Sequence, residues 1–411
     1  VASTARALLG ERDFMVFLGA RFFGVLGTAA QSVTMGWQVY DVARADRGVD
    51  EAALLVGLLG LSTFIPLFLL ALPAGLVADR LPRREVLLAC FAGEAACAGA
   101  LLVAAALGQV TVPVLLAVAV AFGAARAFRA PAGSALAPML VAPRQLPLAI
   151  AWSSLAFQLG TICGPALAGV VVGRWTAAHC YAVVLALNLV PIAGLLTIRR
   201  PTRPPPATGS RLEAVREGLA YVWREKVVLG AMSLDLFAVL LGGATALLPV
   251  FARDVLEVGP QGFGLLRSAP AVGAALTSLV LATRPLARRA GATLFLGVGV
   301  YGVATVVFGL STHLWLSVGA LATLGAADMV SVYVRQTLMQ VATPDAMRGR
   351  VASVSYLFIG ASNELGEFES GVTARLLGPV GAAVFGGLAS LGITAVWARL
   401  FPELRRADRL H

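Results

Sequence analysis

RRPTRPPPATGS, residues 199–210, carries three arginines and four prolines between two long apolar regions. Proline fixes φ and offers no backbone donor, so such a stretch reads as an extended, hydrated linker rather than a buried element. Upstream lie six apolar runs, over 14–40, 52–78, 86–107, 111–132, 148–173 and 178–198. Downstream lie six more, over 227–252, 262–283, 290–310, 313–336, 351–374 and 378–400. Each has about the 20 residues that a helix needs to cross a bilayer. The linker therefore divides twelve expected transmembrane helices six and six. The first run is also too long for the apolar core of a cleavable signal peptide.

Composition agrees. The 411 residues are 58% hydrophobic and only 13% charged, with a mean hydropathy of +0.84. These values exclude an ordinary soluble domain. The expected organisation is a six-helix bundle over 1–198, a cytoplasmic linker over 199–226, a second six-helix bundle over 227–400 and a cytoplasmic tail over 401–411. Within the linker, SRLEAVREGLAYVWREK (210–226) sets Leu212, Val215, Leu219, Val222 and Trp223 at helical spacing opposite a charged face. Such a helix is expected to lie on the inner leaflet.

The formal charge of +10 does not point to nucleic acid. Most basic residues fall in the termini and in the loops following even-numbered runs. Arg44, Arg47, Arg174, Arg253 and Arg375 are those on the opposite side. Positive charge gathers on the cytoplasmic side of membrane proteins, so both termini are expected to be cytoplasmic. The partners expected are the lipid bilayer, protons and a small-molecule substrate, with the chain as a monomer.

Cys90, Cys97, Cys163 and Cys180 lack metal-ligand spacing and read as small apolar core residues, while His179, His313 and His411 are scattered. The one lysine, Lys226, precedes Val227, so no phosphate-binding G-K-[ST] loop is present. Neither HExxH nor G-x-S-x-G occurs. No enzyme, catalytic residue, metal or cofactor is expected, and energy must come from a gradient or a partner.

The halves echo one another. A shift of 202 residues lays Gly164 and Gly169 of GTICGPALAG (160–169) on Gly366 and Gly371 of ASNELGEFESG (361–371). FFGVLGTA near Phe22 likewise matches LFAVLLGGA near Phe237. A duplicated six-span unit follows, and parallel repeats of this kind carry substrate at the midplane between halves.

Three segments carry a family resemblance across essentially the whole chain. GLVADRLPRR (75–84) resembles the loop 2–3 signature of the major facilitator superfamily, with Pro82 in place of a glycine. Arg126 stands where that superfamily has an arginine in span four. Gly160, Gly164, Pro165 and Gly169 resemble its antiporter signature, with Ala168 for one glycine. Finer features (ARFFGVLGTAAQSVTMGWQVYDV, ATPDAMRGRV and GASNELGEFESG) are similar to the bacterial enterobactin (siderophore) exporter branch. The resemblance implies an all-α integral membrane fold of two pseudo-symmetric six-helix bundles in a bacterial inner membrane. It further implies secondary active efflux by alternating access.

Gly75 and Asp79 share a helix face, and the resemblance implies that Asp79 meets the start of span eleven near Arg350 and Val351 as a cytoplasmic gate. Arg80, Arg83 and Arg84 belong to the same motif, or merely orient the loop. The small-residue face of span five suits close helix packing in lipid. Arg21, Arg126 and Asp328 are candidates for the cavity, Asp235 for proton coupling. A pair between Arg21 and Asp235 is expected from their similar depths, and Arg129 and Arg335 suit either ion pairing or snorkelling to headgroups.

Glu364 and Glu367 fall within about 40° of Gly360 on a helical wheel, whereas Glu369 points elsewhere. Buried carboxylates three residues apart disfavour joint ionisation, which makes this pair a proton-coupling candidate. An arginine on span two, eight or ten holding them permanently is the structural alternative. Export of a siderophore-like or other amphipathic molecule, a multidrug or macrolide-type pump, and a non-transporting receptor or scaffold all remain open at this point. Charges of both signs leave the substrate undecided.

Overall fold

The computed structural model describes residues 8, 10–203, 211–284, 286 and 289–407, without the side chains of 72, 211–215, 345, 346, 349, 353, 356 and 357. Most of the linker expected to be extended, 204–210, and two predicted face residues, Leu212 and Val215, thus lie outside the described residues or side chains. Every described regular element is a helix. They are α1 (Arg12–Asp46), α2 (Val49–Arg80), α3 (Arg83–Ala106), α4 (Val112–Leu136), α5 (Leu146–Arg174), α6 (Ala177–Leu196) and α7 (Arg211–Arg224). After these come α8 (Lys226–Leu241), α9 (Gly259–Thr283), α10 (Ala290–Leu310), α11 (Leu314–Ala342), α12 (Asp345–Leu400) and α13 (Pro402–Arg406).

Eleven described stretches are long and apolar enough to cross a membrane, one fewer than the twelve runs. The difference sits in α12, whose 56 residues merge the last two runs. A straight helix of that length would extend far beyond the roughly 30 Å hydrocarbon core. It breaks at Gly378, where φ is 72° and ψ is 165°, immediately before Pro379. Only glycine tolerates such a conformation readily, and the following proline disfavours α geometry at 378. The two arms supply the eleventh and twelfth crossings.

Helix ends follow local chemistry. Gly108 (φ 66°) closes α3 with Gly108 N–H donating to Ala105 O and Gln109 N–H to Ala104 O, the paired bonds of a glycine-terminated helix. Thr176 caps α6 by accepting from His179 N–H. Internal prolines such as Pro66, Pro131, Pro191 and Pro270 remain helical, as membrane helices allow when neighbours satisfy the freed backbone groups.

Contacts divide the chain into two compact units. Unit one comprises Val1–Val42 and Ser62–Thr208. Its core joins Phe14 and Phe17 of α1, Val86 and Phe91 of α3, Leu136 of α4 and Leu195 of α6. Gly160 and Gly164 bring α5 against α1: a Cβ added at Gly164 would stand 2.6 Å from Ala29 Cβ and 2.8 Å from Leu26 O.

Unit two comprises Ala43–Leu61 and Gly209–His411. Arg44 fastens the first of these segments through Asp254, 3.0 Å away, and Gly57 lies backbone to backbone with Gly371. Inside this unit α10 packs on α11 and α12, and α8 on α12. A Cβ at Gly366 would stand 2.9 Å from Val239 O of α8. The repeated glycines Gly164 and Gly366 therefore do the same work in each unit, bringing the fifth span onto the first and the eleventh onto the seventh. Helix α7 seats Val222 in a core with Met232, Met339 and Val354, while Tyr221 Oη donates to Ala342 O (2.6 Å) and Glu217 pairs with Arg350. Its Trp223 remains exposed.

Leu69, Leu296, Trp315 and Leu376 expose large apolar side chains. A soluble surface rarely shows so much apolar area, whereas a lipid-facing one requires it. The chain is a multi-pass membrane protein.

Candidate functional site: two arginine-centred clusters and a broken helix

Unit one places Glu94 of α3 at 0% exposure among apolar side chains. The first residue to answer its charge is Arg129 of α4, whose Nε lies 3.3 Å from Glu94 Oε1. Arg129 Nη1 also donates to Thr28 Oγ1 (2.6 Å) and to Gly24 O (3.3 Å) on α1, and Thr28 Oγ1 donates to Glu94 Oε2 (2.6 Å). One guanidinium thus ties three helices. Arg129 is not a headgroup-seeking side chain, because its partners lie within the bundle.

The same face of α4 carries Arg126 and Gly133. Arg126 rests over the Phe122 ring at 5.7 Å. Arg21 of α1 donates from Nε to Ser153 O (3.0 Å), lies over Phe157, and brings Nη1 within 3.8 Å of where a Gly133 Cβ would stand. The α1–α4 seam therefore carries three arginines and, behind it, Glu94.

Unit two builds a counterpart. Asp235 of α8 pairs with Arg335 of α11, and the two residues are 6% and 2% exposed. Arg335 supplies the countercharge to Asp235 from within the unit. The same burial removes the snorkelling alternative for Arg335. Asp328 of α11 and Tyr301 of α10 lie within electrostatic range of the pair. A shift of 207 residues carries Thr28 onto Asp235 and Glu94 onto Tyr301, and 206 carries Arg129 onto Arg335. The arginine keeps its place in the repeat while the carboxylate moves from the third span to the seventh.

The seventh span is discontinuous. α8 stops at Leu241, Gly242 and Gly243 interrupt it, and a 3-10 turn (Ala244–Leu247) and a π turn (Phe251–Val255) follow. The freed Gly242 carbonyl accepts from Tyr301 Oη at 3.1 Å. Arg267 of α9 donates to Thr245 O (3.3 Å) and to Glu367 Oε1 (3.3 Å). Interrupted membrane helices are where transporters of this architecture commonly place ions and substrates. Here the break links the Asp235 cluster, through Tyr301, to Glu367, through Arg267.

Glu367 of α12 packs toward Gly60, where a Cβ would stand 3.0 Å from Glu367 Cβ and 3.7 Å from the Glu364 backbone carbonyl. Glu369, as the wheel requires, is turned aside and accepts from Thr373 Oγ1 (2.6 Å). The loop 2–3 motif sits in unit one, where Gly75 is buried and Arg80 exposed. Arg83 Nη1 donates to Ala135 O (2.5 Å) and Arg84 Nη1 to Ile198 O (2.8 Å), with Asp79 in electrostatic range of Arg83. Gly160, Gly164, Pro165 and Gly169 are buried on α5. Cys163, expected in the core, is exposed on α5, whereas Cys90, Cys97 and Cys180 are buried. No metal-ligating cluster occurs among the described residues.

Glu94, Tyr301 and Arg267 were missed. Glu94 was visible as a lone acid inside an apolar run, and Arg267 as a lone base inside another. Tyr301 carries no such signal, because its role comes from a helix break elsewhere.

Comparison with known proteins follows the same lines. The family model described as transmembrane secretion effector matches residues 3–410. Enterobactin exporter EntS of Escherichia coli O157:H7 and that of Shigella boydii serotype 18 are each 26% identical over 400 residues, covering 95% of this chain and 92% of theirs. Among solved structures, the inward-open xylose transporter XylE from E. coli superposes with a TM-score of 0.71 at 14% identity, covering 94% of this chain and 96% of that one. A bacterial homologue of the human lysosomal transporter Spinster gives 0.69 at 14% identity, covering 96% and 97%. These likenesses concern the fold. The whole-chain match and the shared fold show that the chain belongs to the transmembrane secretion effector family of the major facilitator superfamily.

Proposed function

We propose that the chain is a proton-coupled exporter of an anionic, amphipathic small molecule of the siderophore type, working by alternating access in a bacterial inner membrane with both termini cytoplasmic. The observation that carries this reading is the segregation of intramembrane charge. Unit one carries Arg21, Arg126 and Arg129 with Glu94, a surplus of positive charge. Unit two carries Asp235, Asp328, Glu364, Glu367 and Glu369 with Arg267 and Arg335, a surplus of negative charge.

Ionisable groups within a membrane are costly and commonly mark substrate or proton paths. Arg21 and Arg126 suit the anionic groups of a substrate, and the carboxylates Asp235, Glu364 and Glu367 suit protons. Enterobactin export by the relatives is consistent with an anionic cargo. Asp79, with Gly75, Arg80, Arg83 and Arg84, serves in this reading as the cytoplasmic gate. The working unit is a monomer, with no part for nucleic acid.

Proteoliposomes containing the full chain test the reading. A pH gradient should drive accumulation of enterobactin, and Arg126→Gln should raise its KM several-fold. Transport of a macrolide in place of enterobactin would instead favour a drug pump, with the carboxylates facing a cationic substrate.

A further inference from the structure

Apart from the linker, the chain passes between the two units at two places, and both fall inside continuous helices. α1 crosses at Val42–Ala43, about one turn before its end, and α2 crosses at Leu61–Ser62, well inside its length. The hairpin tip between them, Ala43–Leu61, belongs by its contacts to unit two, although both helices continue into unit one. In the proposed topology this tip, one crossing from the N-terminus, lies on the membrane face opposite the termini.

The tip is held by one ion pair and a glycine seam. Arg44 of α1 meets the Asp254 carboxylate with two nitrogens, Nη2 at 3.0 Å and Nε at 3.5 Å. A guanidinium paired in this way fixes orientation as well as distance. Gly57 brings the backbone of α2 onto α12: a Cβ there would stand 2.9 Å from Gly371 Cα and 3.2 Å from Glu367 O. Small residues let membrane helices approach closely without interlocked side chains. Such a seam can part and re-form.

Just beyond the crossing the attachment changes. A Cβ on Gly123 of α4 would stand 2.2 Å from Thr63 O, so α2 is pressed onto α4 within unit one. Ser62 is the first residue of α2 in that unit. Pro66 has no N–H to donate to Ser62 O, so the helix lacks a hydrogen bond where its attachment passes from one unit to the other. Sharp bends in helices concentrate at such prolines. Pro73, the other proline of α2, lies inside unit one, two turns further on.

We propose that the tip Ala43–Leu61 is a flap, hinged at Ser62–Pro66 and latched to unit two by Arg44–Asp254 and the Gly57–Gly371 seam, that bends away to let cargo leave. The proposal rests on the export reading. It adds that this face opens by bending one hairpin, not only by rigid rotation of unit one. Arg44 acts through the position of the flap and is a positioning residue.

Distances between pairs of spin labels on the full chain in lipid nanodiscs test the flap. In a Cys163→Ser background, which removes the exposed cysteine, labels enter through Glu51→Cys on the flap, Gln261→Cys in unit two and Gln109→Cys in unit one, all exposed positions. Arg44→Gln should add a longer 51–261 population and shift the 51–109 distance too, since a bending flap moves against both units. Adding Pro66→Ala, which restores the helix bond, should abolish the 51–109 shift. A longer 51–261 distance with 51–109 unchanged would overturn the hinge, because the flap would then ride rigidly with unit one. An unchanged 51–261 distance would overturn the latch. Enterobactin efflux from proteoliposomes separates the flap from the reading beneath it. Pro66→Ala should slow efflux several-fold while Pro73→Ala keeps the wild-type rate, and equal rates in the two would overturn the hinge. No efflux by the wild type would remove the export reading, while the distances still decide the flap.

Discussion

Glu94 shows how much depends on a single buried charge. Removing one partner of a buried ion pair typically costs about 3–5 kcal/mol, because the survivor is left uncompensated. Glu94→Gln should therefore lower thermal stability of the purified protein markedly, and adding Arg129→Gln should restore much of the loss. An additive double mutant would mean that the Glu94–Arg129 contact carries no coupling. At the loop 2–3 motif the expectation differs. Asp79→Asn should insert and melt like the wild type yet lose transport, measured by efflux from vesicles, if Asp79 is a gate. Full transport would reduce Asp79 to an orienting charge. Glu367 lies between these cases, since Arg267 offers it a partner at 3.3 Å while leaving it half-buried. That geometry bears on the permanent-pair alternative raised by the sequence. The Glu367→Gln variant should therefore lose coupling more than stability, a split that a melting curve and a flux assay together resolve.

Helix contacts are set by glycines whose absence of a side chain is used directly. At Gly164 any Cβ collides with Ala29 and the Leu26 carbonyl of α1, so Gly164→Val should destabilise unit one by about 1–3 kcal/mol, as overpacking commonly does. The corresponding Gly366→Val should do the same in unit two, where the obstacles are the carbonyls of Val239 and Leu240. Melting temperatures of both variants near that of the wild type would contradict the packing. The paired glycines were legible because a repeat leaves the same small residue at the same contact. Existence of the spans was legible too, from about 20 apolar residues each. The break of the seventh span was less so: LLGGATALLPV (240–250) contains two glycines and a proline, but apolar composition hides a loss of helical geometry when neighbours satisfy the backbone. Likewise Gly378–Pro379 separates the last two runs, yet the hydrogen-bonded helix continues on both sides of it.

For the whole molecule, what sequence supplied was the presence of charges, and what it lacked was their company. Arg21, Arg126, Asp235 and Asp328 were each visible as ions in apolar runs. Arg21 and Asp235 were matched by depth, but depth alone does not identify a neighbour, and the partner Asp235 has within its own unit is Arg335. Once contacts are known, the basic surplus of unit one and the acidic surplus of unit two suggest a division between anion recognition and proton carriage. That division is tested most directly by substrate-dependent proton flux in proteoliposomes, comparing the wild type with Glu364→Gln/Glu367→Gln. The expected result is enterobactin-dependent proton movement in the wild type, and its loss in the double variant with enterobactin binding retained. Undiminished flux in the double variant, or none in the wild type with either enterobactin or a macrolide, would contradict it.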